Sequence, residues 1–117
     1  MNEYLSGGDK LMIMVVSDAD ADRLIRALVS HGYPATKIGS TGGFLRRGNT
    51  TVMSGVDARE VDEVMEFVRR FCHARIEHIP LQALPITGDG APIVDPMEVR
   101  VGGAVVFVLN IERLEKV

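Results

Sequence analysis

The part of this chain that the fold alone does not explain is residues 35–55, which read ATKIGSTGGFLRRGNTTVMSG. The stretch is rich in glycine, which strands normally avoid because glycine loses backbone entropy and offers no side chain to pack. Glycine at this density indicates tight reversals, or a backbone that a ligand approaches closely. Hydroxyl groups, amides and arginines, which also occur here, are groups that bind phosphate oxygens. We therefore predict two strands, within residues 35–40 and 49–56, joined by a ligand-contacting turn at 41–48.

A phosphate-binding P-loop is nearly matched by residues 43–50, which read GFLRRGNT. Asn49 stands where that loop needs a lysine, and a strand is predicted to follow where a helix is required, so we reject an NTPase. A glycine-containing hairpin with a solvated tip remains an alternative. It leaves Phe44 and Leu45 exposed, whereas in a cleft between subunits this pair can stack on a base.

On the amino-terminal side of this stretch the sequence predicts a strand and then a helix. Residues 11–16 form a continuous apolar run, which is typical of a strand buried on both faces. Ser17 and the acidic residues after it can cap the following helix, and Gly32 with Pro34 ends it. The apolar face of this helix follows the spacing i, i+3, i+4, i+7, i+8. Its members are Ala21, Leu24, Ile25, Leu28 and Val29.

On the carboxyl-terminal side a capping-box pattern at residues 57–60 predicts a second helix. The apolar stripe of that helix comprises Val61, Val64, Met65, Val68 and Cys72. Residues 76–79 predict a short edge strand, and residues 81–97, which lack a hydrophobic period, predict a long loop. Residues 99–109 predict one strand with a bulge at its two glycines. For residues 111–117 we expect one or two helical turns.

The resulting order is β-α-β-β-α-β with an extra short strand before the last. It predicts an α+β fold of the ferredoxin-like type, in which both helices cover one face of an antiparallel sheet. The other face of the sheet then needs a partner. Because 46% of the residues are hydrophobic, we expect this face to be covered by self-association into a closed, symmetric oligomer.

The composition limits the function further. The formal net charge of −3 argues against a general nucleic-acid binder, which carries a basic patch. A single cysteine excludes an internal disulfide and fits a reducing cytoplasm. No apolar run approaches the ~20 residues that cross a bilayer, and the amino terminus lacks the pattern of a signal peptide. We expect a cytoplasmic protein with a flexible tail at residues 1–9 and one domain at 10–117.

The sequence offers little reactive chemistry. Histidines 31, 73 and 78, with Cys72 and Glu77, lack the spacing of a metal site, so a buried thiol with surface histidines is the better interpretation. The three acidic residues that begin the first helix suit helix capping better than a catalytic carboxylate pair. No nucleophile has an attendant base. We therefore predict a non-enzymatic binding protein with no catalytic residue, no metal and no cofactor beyond its ligand.

Four blocks of the chain are distinctive in combination. They read ATKI at 35–38, TGGFL at 41–45, GNTT at 48–51 and VRVGGAVVFV at 99–108. In this order and spacing they closely resemble the PII-like cyclic di-AMP receptor family of bacteria, within the nitrogen-regulatory PII superfamily. The resemblance implies a PII-like ferredoxin-fold domain that forms a homotrimer with ligand clefts between neighbouring subunits. It also implies two flexible loops, at 41–48 and 81–97, that respond to the ligand.

The resemblance also assigns roles to individual positions. Thr36 and Asn49 hydrogen-bond the ligand, Gly55 leaves room for an adenine, and Phe107 lines the pocket from the last strand. The backbone of residues 43–45 cradles a phosphate and a base. The implied ligand-binding residues are Thr36, Thr41, Gly43, Phe44, Leu45, Asn49, Gly55 and Phe107. Arg46 and Arg47 either contact phosphate or only solubilise the turn.

Two positions depart from the family pattern. The family commonly has an asparagine and an arginine where this chain has Gly32 and Pro34. The asparagine and the arginine contribute to recognition of cyclic di-AMP in the family, and a charge-assisted contact is worth ~1.5–3 kcal/mol. Their replacement here therefore bears on which ligand the chain binds. Cyclic di-AMP is the first expectation. The alternatives are another adenine nucleotide (ATP, ADP or AMP), or an interaction module with a vestigial pocket. A downstream protein partner is implied but not identified.

Overall fold

A computed structural model of the protein describes residues 9–39, 48–79 and 97–117. In these parts of the chain there are six strands and two α-helices. The elements are β1 (Lys10–Ser17), α1 (Asp18–Ser30), β2 (Thr36–Ile38), β3 (Asn49–Val56), α2 (Val61–Cys72), β4 (Arg75–Ile79), β5 (Met97–Val101) and β6 (Ala104–Asn110). A single turn of 3-10 helix, Ala58–Glu60, precedes α2.

Four strands form an antiparallel main sheet in the order β2-β3-β1-β6. The central strand β1 pairs with β3 along its whole length, from Lys10 opposite Val56 to Ser17 opposite Asn49. On its other side β1 pairs with β6 without a bulge. The prediction of an α+β protein is confirmed, and the order of the elements is compatible with a ferredoxin-like fold.

The end of α1 and the turn before α2 follow the predicted local chemistry, whereas the predicted side-chain cap by Ser17 at the start of α1 is wrong, because Ser17 makes no capping bond. Gly32 adopts a φ of 86° after α1. The N–H of Tyr33 donates to the carbonyl of Leu28 at 2.9 Å, and the N–H of Gly32 donates to that of Val29 at 3.0 Å. These two bonds define a Schellman motif, so the predicted cap is confirmed. The predicted capping box at residues 57–60 is also present before α2.

The core lies between the two helices and one face of the main sheet. Its buried members are Met12, Met14, Val16, Ala21, Leu24, Leu28, Tyr33, Val52, Val56, Val64, Phe67, Val68 and Cys72. The predicted helical stripes contribute to this core or pack against it, except that Val29 is 56% exposed. Cys72 is buried, so the prediction of a buried thiol is confirmed, and this burial raises the pKa of the thiol to about 11.

The prediction that β1 is buried on both faces is wrong for a single chain. Its even-numbered apolar residues are buried against the helices, whereas its odd-numbered ones stay partly exposed. Both helices therefore cover the same side. We call the uncovered side the open sheet face. Its apolar side chains include Leu11, Ile13 and Val15 of β1, and Val105, Phe107 and Leu109, which stand opposite them on β6.

Residues 99–109 do not form the single bulged strand that we predicted. β5 ends at Val101 and pairs with β4 in a separate two-stranded sheet, whereas β6 belongs to the main sheet. Gly102 and Gly103 turn the chain between the two sheets with φ angles of 79° and 88°. The strand predicted at 76–79 is therefore present, but it lies in the β4–β5 pair and not at an edge of the main sheet.

A buried carboxylate ties the β4–β5 pair to α1. Asp20 is fully buried. Its Oδ1 accepts a hydrogen bond from Nη2 of Arg75 at 3.0 Å, and its Oδ2 accepts one from Nη1 of Arg75 at 3.3 Å. Arg23 also donates to Oδ1, at 2.6 Å. Burial raises the pKa of Asp20, but the hydrogen bonds from Arg75 and Arg23 outweigh burial, so the pKa lies below its ordinary value.

The remaining predictions concern residues 81–97 and 111–117 and the absence of a membrane-spanning helix. Of the predicted loop at 81–97, residues 81–96 lie outside the described part of the chain, and Met97 begins β5. The helical turns expected at 111–117 are absent. Instead, the N–H of Ile111 donates to the carbonyl of Asp9 at 2.8 Å. Neither of the two helices described is long and apolar enough to span a bilayer.

Candidate functional site

Four of the predicted ligand-binding residues lie in the described part of the chain. They are Thr36, Asn49, Gly55 and Phe107. Thr36 stands opposite Met53, Met53 opposite Ile13, and Ile13 opposite Phe107. Opposed residues of neighbouring strands share a face, and Asn49 and Gly55 lie an even number of residues from Met53 on β3. All four residues therefore belong to the open sheet face.

A pocket of about 260 Å³ lies where the open sheet face meets the segment after β6. It is lined by Leu11, Pro34, Thr36, Met53, Gly55, Ile111, Arg113 and Leu114. The structure thus brings Thr36 and Gly55 into one concave site. Most of the lining is apolar, and the hydroxyl of Thr36 and the guanidinium of Arg113 are its polar side-chain groups. This combination is typical of a ligand pocket.

Asn49 and Phe107 do not line this pocket. Asn49 begins β3 and is six residues from Gly55, which corresponds to about 20 Å along an antiparallel strand. Phe107 is three strand positions from Thr36 across the sheet, or about 14 Å at the usual strand spacing. One chain therefore holds two of the four described residues together and leaves the other two apart on the same face.

The end of β3 that carries Asn49 is tied to the beginning of α1. The N–H of Asp18 donates to the carbonyl of Gly48 at 2.8 Å. The hydroxyl of Thr50 donates to the carboxylate of Asp18. Asp18 begins α1 as predicted, but its carboxylate contacts Thr50 of β3, and these contacts fix the strand end on which Asn49 lies.

The other predicted site residues lie outside the described part of the chain. They are Thr41, Gly43, Phe44, Leu45, Arg46 and Arg47. Their roles stay predictions. Of the two positions that depart from the family pattern, Pro34 lines the pocket, whereas Gly32 forms the end of α1.

Three residues of the segment after β6 were missed by sequence reasoning. Ile111, Arg113 and Leu114 line the pocket, although this segment was expected to form helical turns. The bond from Ile111 to Asp9 continues the pairing of β6 with β1 beyond Asn110 and Lys10. It therefore holds the segment beside Leu11. No local motif signals this arrangement, because it depends on the pairing of the two ends of the domain.

Comparison with known proteins identifies the family of the chain. The family model described as cyclic-di-AMP receptor matches residues 9–117. The chain belongs to the cyclic-di-AMP receptor family. A crystal structure of a functionally unknown protein from Pediococcus pentosaceus ATCC 25745 is similar to this receptor-family chain, with 35% sequence identity and a TM-score of 0.72. The similarity covers 94% of this chain and 98% of that one. The resemblance drawn from the four sequence blocks is thereby confirmed.

Proposed function

We propose that the protein is a non-enzymatic, PII-like signalling protein of the cytoplasm that binds cyclic di-AMP in clefts between the subunits of a homotrimer. The proposal is carried by one observation. Thr36, Asn49, Gly55 and Phe107 share the open sheet face, yet one chain brings only Thr36 and Gly55 into the same pocket. A neighbouring copy packed against that face supplies the groups that one chain leaves too far away.

The size of the pocket supports a shared site. Sites that enclose a drug-sized ligand have volumes of about 300–1,000 Å³, and the pocket of one chain is about 260 Å³. By itself it accommodates part of a dinucleotide, and the rest of the ligand would extend into the adjoining depression or lie against a neighbouring copy. The open sheet face also supports assembly, because Val105, Phe107 and Leu109 are each about half exposed and stand on one strand. Contiguous apolar surface of this kind is typical of an interface between proteins.

A different adenine nucleotide is the second candidate. The observation that favours it is the presence of Pro34 in the pocket wall, because proline has neither a side-chain donor nor a backbone N–H. ATP, ADP or AMP would then occupy the same site in the trimer. A third candidate is an interaction module in which the pocket is vestigial. In all three cases the output is a contact with a downstream protein.

A nucleotide panel tests these candidates directly. Isothermal titration calorimetry with cyclic di-AMP, cyclic di-GMP, ATP, ADP and AMP should show saturable binding of cyclic di-AMP at one site per chain. Light scattering should give three times the chain mass of 12.8 kDa. Selective binding of ATP, ADP or AMP would favour the second candidate. A trimer that gives no heat with any of the five would support the third.

An interface variant tests whether the open sheet face forms the assembly. Val105→Asp should convert the trimer to monomers and abolish nucleotide binding, because it places a charge on an apolar interface without a partner. Val29→Asp is a matched control, since Val29 and Val105 are both 56% exposed but Val29 lies on α1, away from the sheet. A trimer that survives Val105→Asp would contradict the proposed interface.

A further inference from the structure

Arg113 lies on the segment after β6 and lines the pocket. The segment that carries it leaves β6 and is attached to the start of the domain by the bond from Ile111 to Asp9, at 2.8 Å. Arg113 lines the 260 Å³ pocket and also a neighbouring, more open depression that includes Leu109 and Glu112. Arg113 therefore borders both depressions, and a ligand that extends from one to the other would pass this residue.

Arg113 is the charged member of the pocket lining that the structure describes. The other lining groups are apolar side chains, a glycine and the hydroxyl of Thr36. A nucleotide that enters this pocket brings phosphate charge with it. Arginine matches phosphate geometrically, because its planar fork can donate two parallel hydrogen bonds to phosphate oxygens.

The same guanidinium is engaged by a neighbouring carboxylate. Nε of Arg113 donates to Oε1 of Glu115 at 2.9 Å, and Nη2 donates to the same oxygen. The two side chains are 78% and 56% exposed. An ion pair this open to water contributes little, because solvent screens the charges. Each phosphate of cyclic di-AMP is a phosphodiester with one negative charge and two free oxygens, so it can take the place of the carboxylate and accept two parallel hydrogen bonds from the guanidinium.

We propose that Arg113 binds a phosphate group of the nucleotide, and that Glu115 competes with this phosphate for the guanidinium. The inference rests on the proposed function and names the charged contact of its site. Glu115 then sets the affinity, since each binding event must exchange its carboxylate for a phosphate oxygen.

Calorimetry on the full chain with cyclic di-AMP, ATP and adenosine tests this exchange. Arg113→Gln should weaken the binding of a phosphorylated ligand by about tenfold to a hundredfold, the equivalent of one charge-assisted hydrogen-bonding contact. Glu115→Gln should strengthen it about two- to fivefold, because the competing ion pair is lost. Any affinity for adenosine should be the same in all variants. Arg59→Gln is the control, since Arg59 pairs with Asp57 at the 3-10 turn that precedes α2.

The outcomes separate this proposal from the proposed function. If the wild-type chain binds a nucleotide and Arg113→Gln binds it equally well, the role of Arg113 is overturned and the function stands. If Arg113→Gln weakens adenosine as much as the nucleotide, Arg113 shapes the pocket and the phosphate contact is overturned. If the wild-type chain binds neither cyclic di-AMP nor ATP, both proposals fail.

Discussion

Arg75→Met lowers the free energy of unfolding at pH 7 by about 3 kcal/mol or more, the usual cost of removing one partner from a buried ion pair. The substitution leaves the carboxylate of Asp20, which is fully buried, without both hydrogen bonds from Arg75. Methionine keeps much of the aliphatic length of the side chain, so the loss reflects the charge and the hydrogen bonds. Urea unfolding followed by circular dichroism measures it.

Arg23→Met is the matched control for this loss. Arg23 also donates to Asp20, but through one bond, and its side chain is 50% exposed where that of Arg75 is 25% exposed. We therefore expect a loss of about 1 kcal/mol, in the range of ordinary hydrogen bonds. Equal losses of unfolding free energy in the two variants would show that Arg75 stabilises the protein no more than Arg23 does.

The same pair gives stability a defined pH dependence. Because the pKa of Asp20 in the folded state is below its ordinary value of 3.8, its contribution is fully present above pH 3.8. The contribution is lost as the pH falls through the folded pKa, where the carboxylate takes up a proton. In Arg75→Met fewer hydrogen bonds offset the burial of Asp20, so the pKa of Asp20 is higher than in the wild-type chain. Acid unfolding of the variant should therefore begin at a higher pH.

Among the glycines whose surroundings the structure describes, Gly102→Ala should be the most damaging substitution, with a loss of about 3 kcal/mol or more. The positive φ of 79° alone costs a residue with a Cβ about 1–2 kcal/mol. In addition, a Cβ at this position would lie 2.4 Å from the carbonyl oxygen of His73 and 2.6 Å from Nη1 of Arg75. Relief of that clash moves the backbone or the arginine that binds Asp20.

Gly103→Ala separates the steric clash from the backbone strain. Gly103 has a similar φ of 88°, but the nearest described atom to a Cβ there is the Cβ of Ala74, at 3.8 Å, which is an ordinary contact. Its replacement should therefore cost only the strain, about 1–2 kcal/mol. Urea unfolding of both variants provides the comparison. If Gly103→Ala is as destabilising as Gly102→Ala, the contacts around Gly102 do not account for its effect.

The parts of the fold that sequence reasoning predicted correctly depend on local chemistry. The Schellman motif at Gly32 and the capping box at residues 57–60 involve neighbours in the chain. The separation of β5 from β6 was not predictable in this way, because two adjacent glycines suit a bulge as well as a corner. The contact between Asp20 and Arg75, which are 55 positions apart, also leaves no signal in either local segment.

In the candidate site, too, some residues could be predicted from the sequence and others could not. Thr36 and Gly55 were identified through sequence blocks, and the pairing of β2 with β3 places both in the pocket. Arg113 could not be found, because its position depends on the pairing of β6 with β1 and on the bond from Ile111 to Asp9. The distance of Phe107 from Thr36 likewise follows from the strand order, which the sequence pattern does not specify by itself.

The crowded corner at Gly102 has a mechanical consequence. With the carbonyl of His73 and the guanidinium of Arg75 beside it, the base of the β4–β5 pair cannot swing without breaking the bonds to Asp20. The base of the pair is therefore held in place and does not act as a hinge. We therefore expect the β4–β5 pair to be held more firmly at Arg75 and Val101 than at its other end, where Ile79 stands opposite Met97.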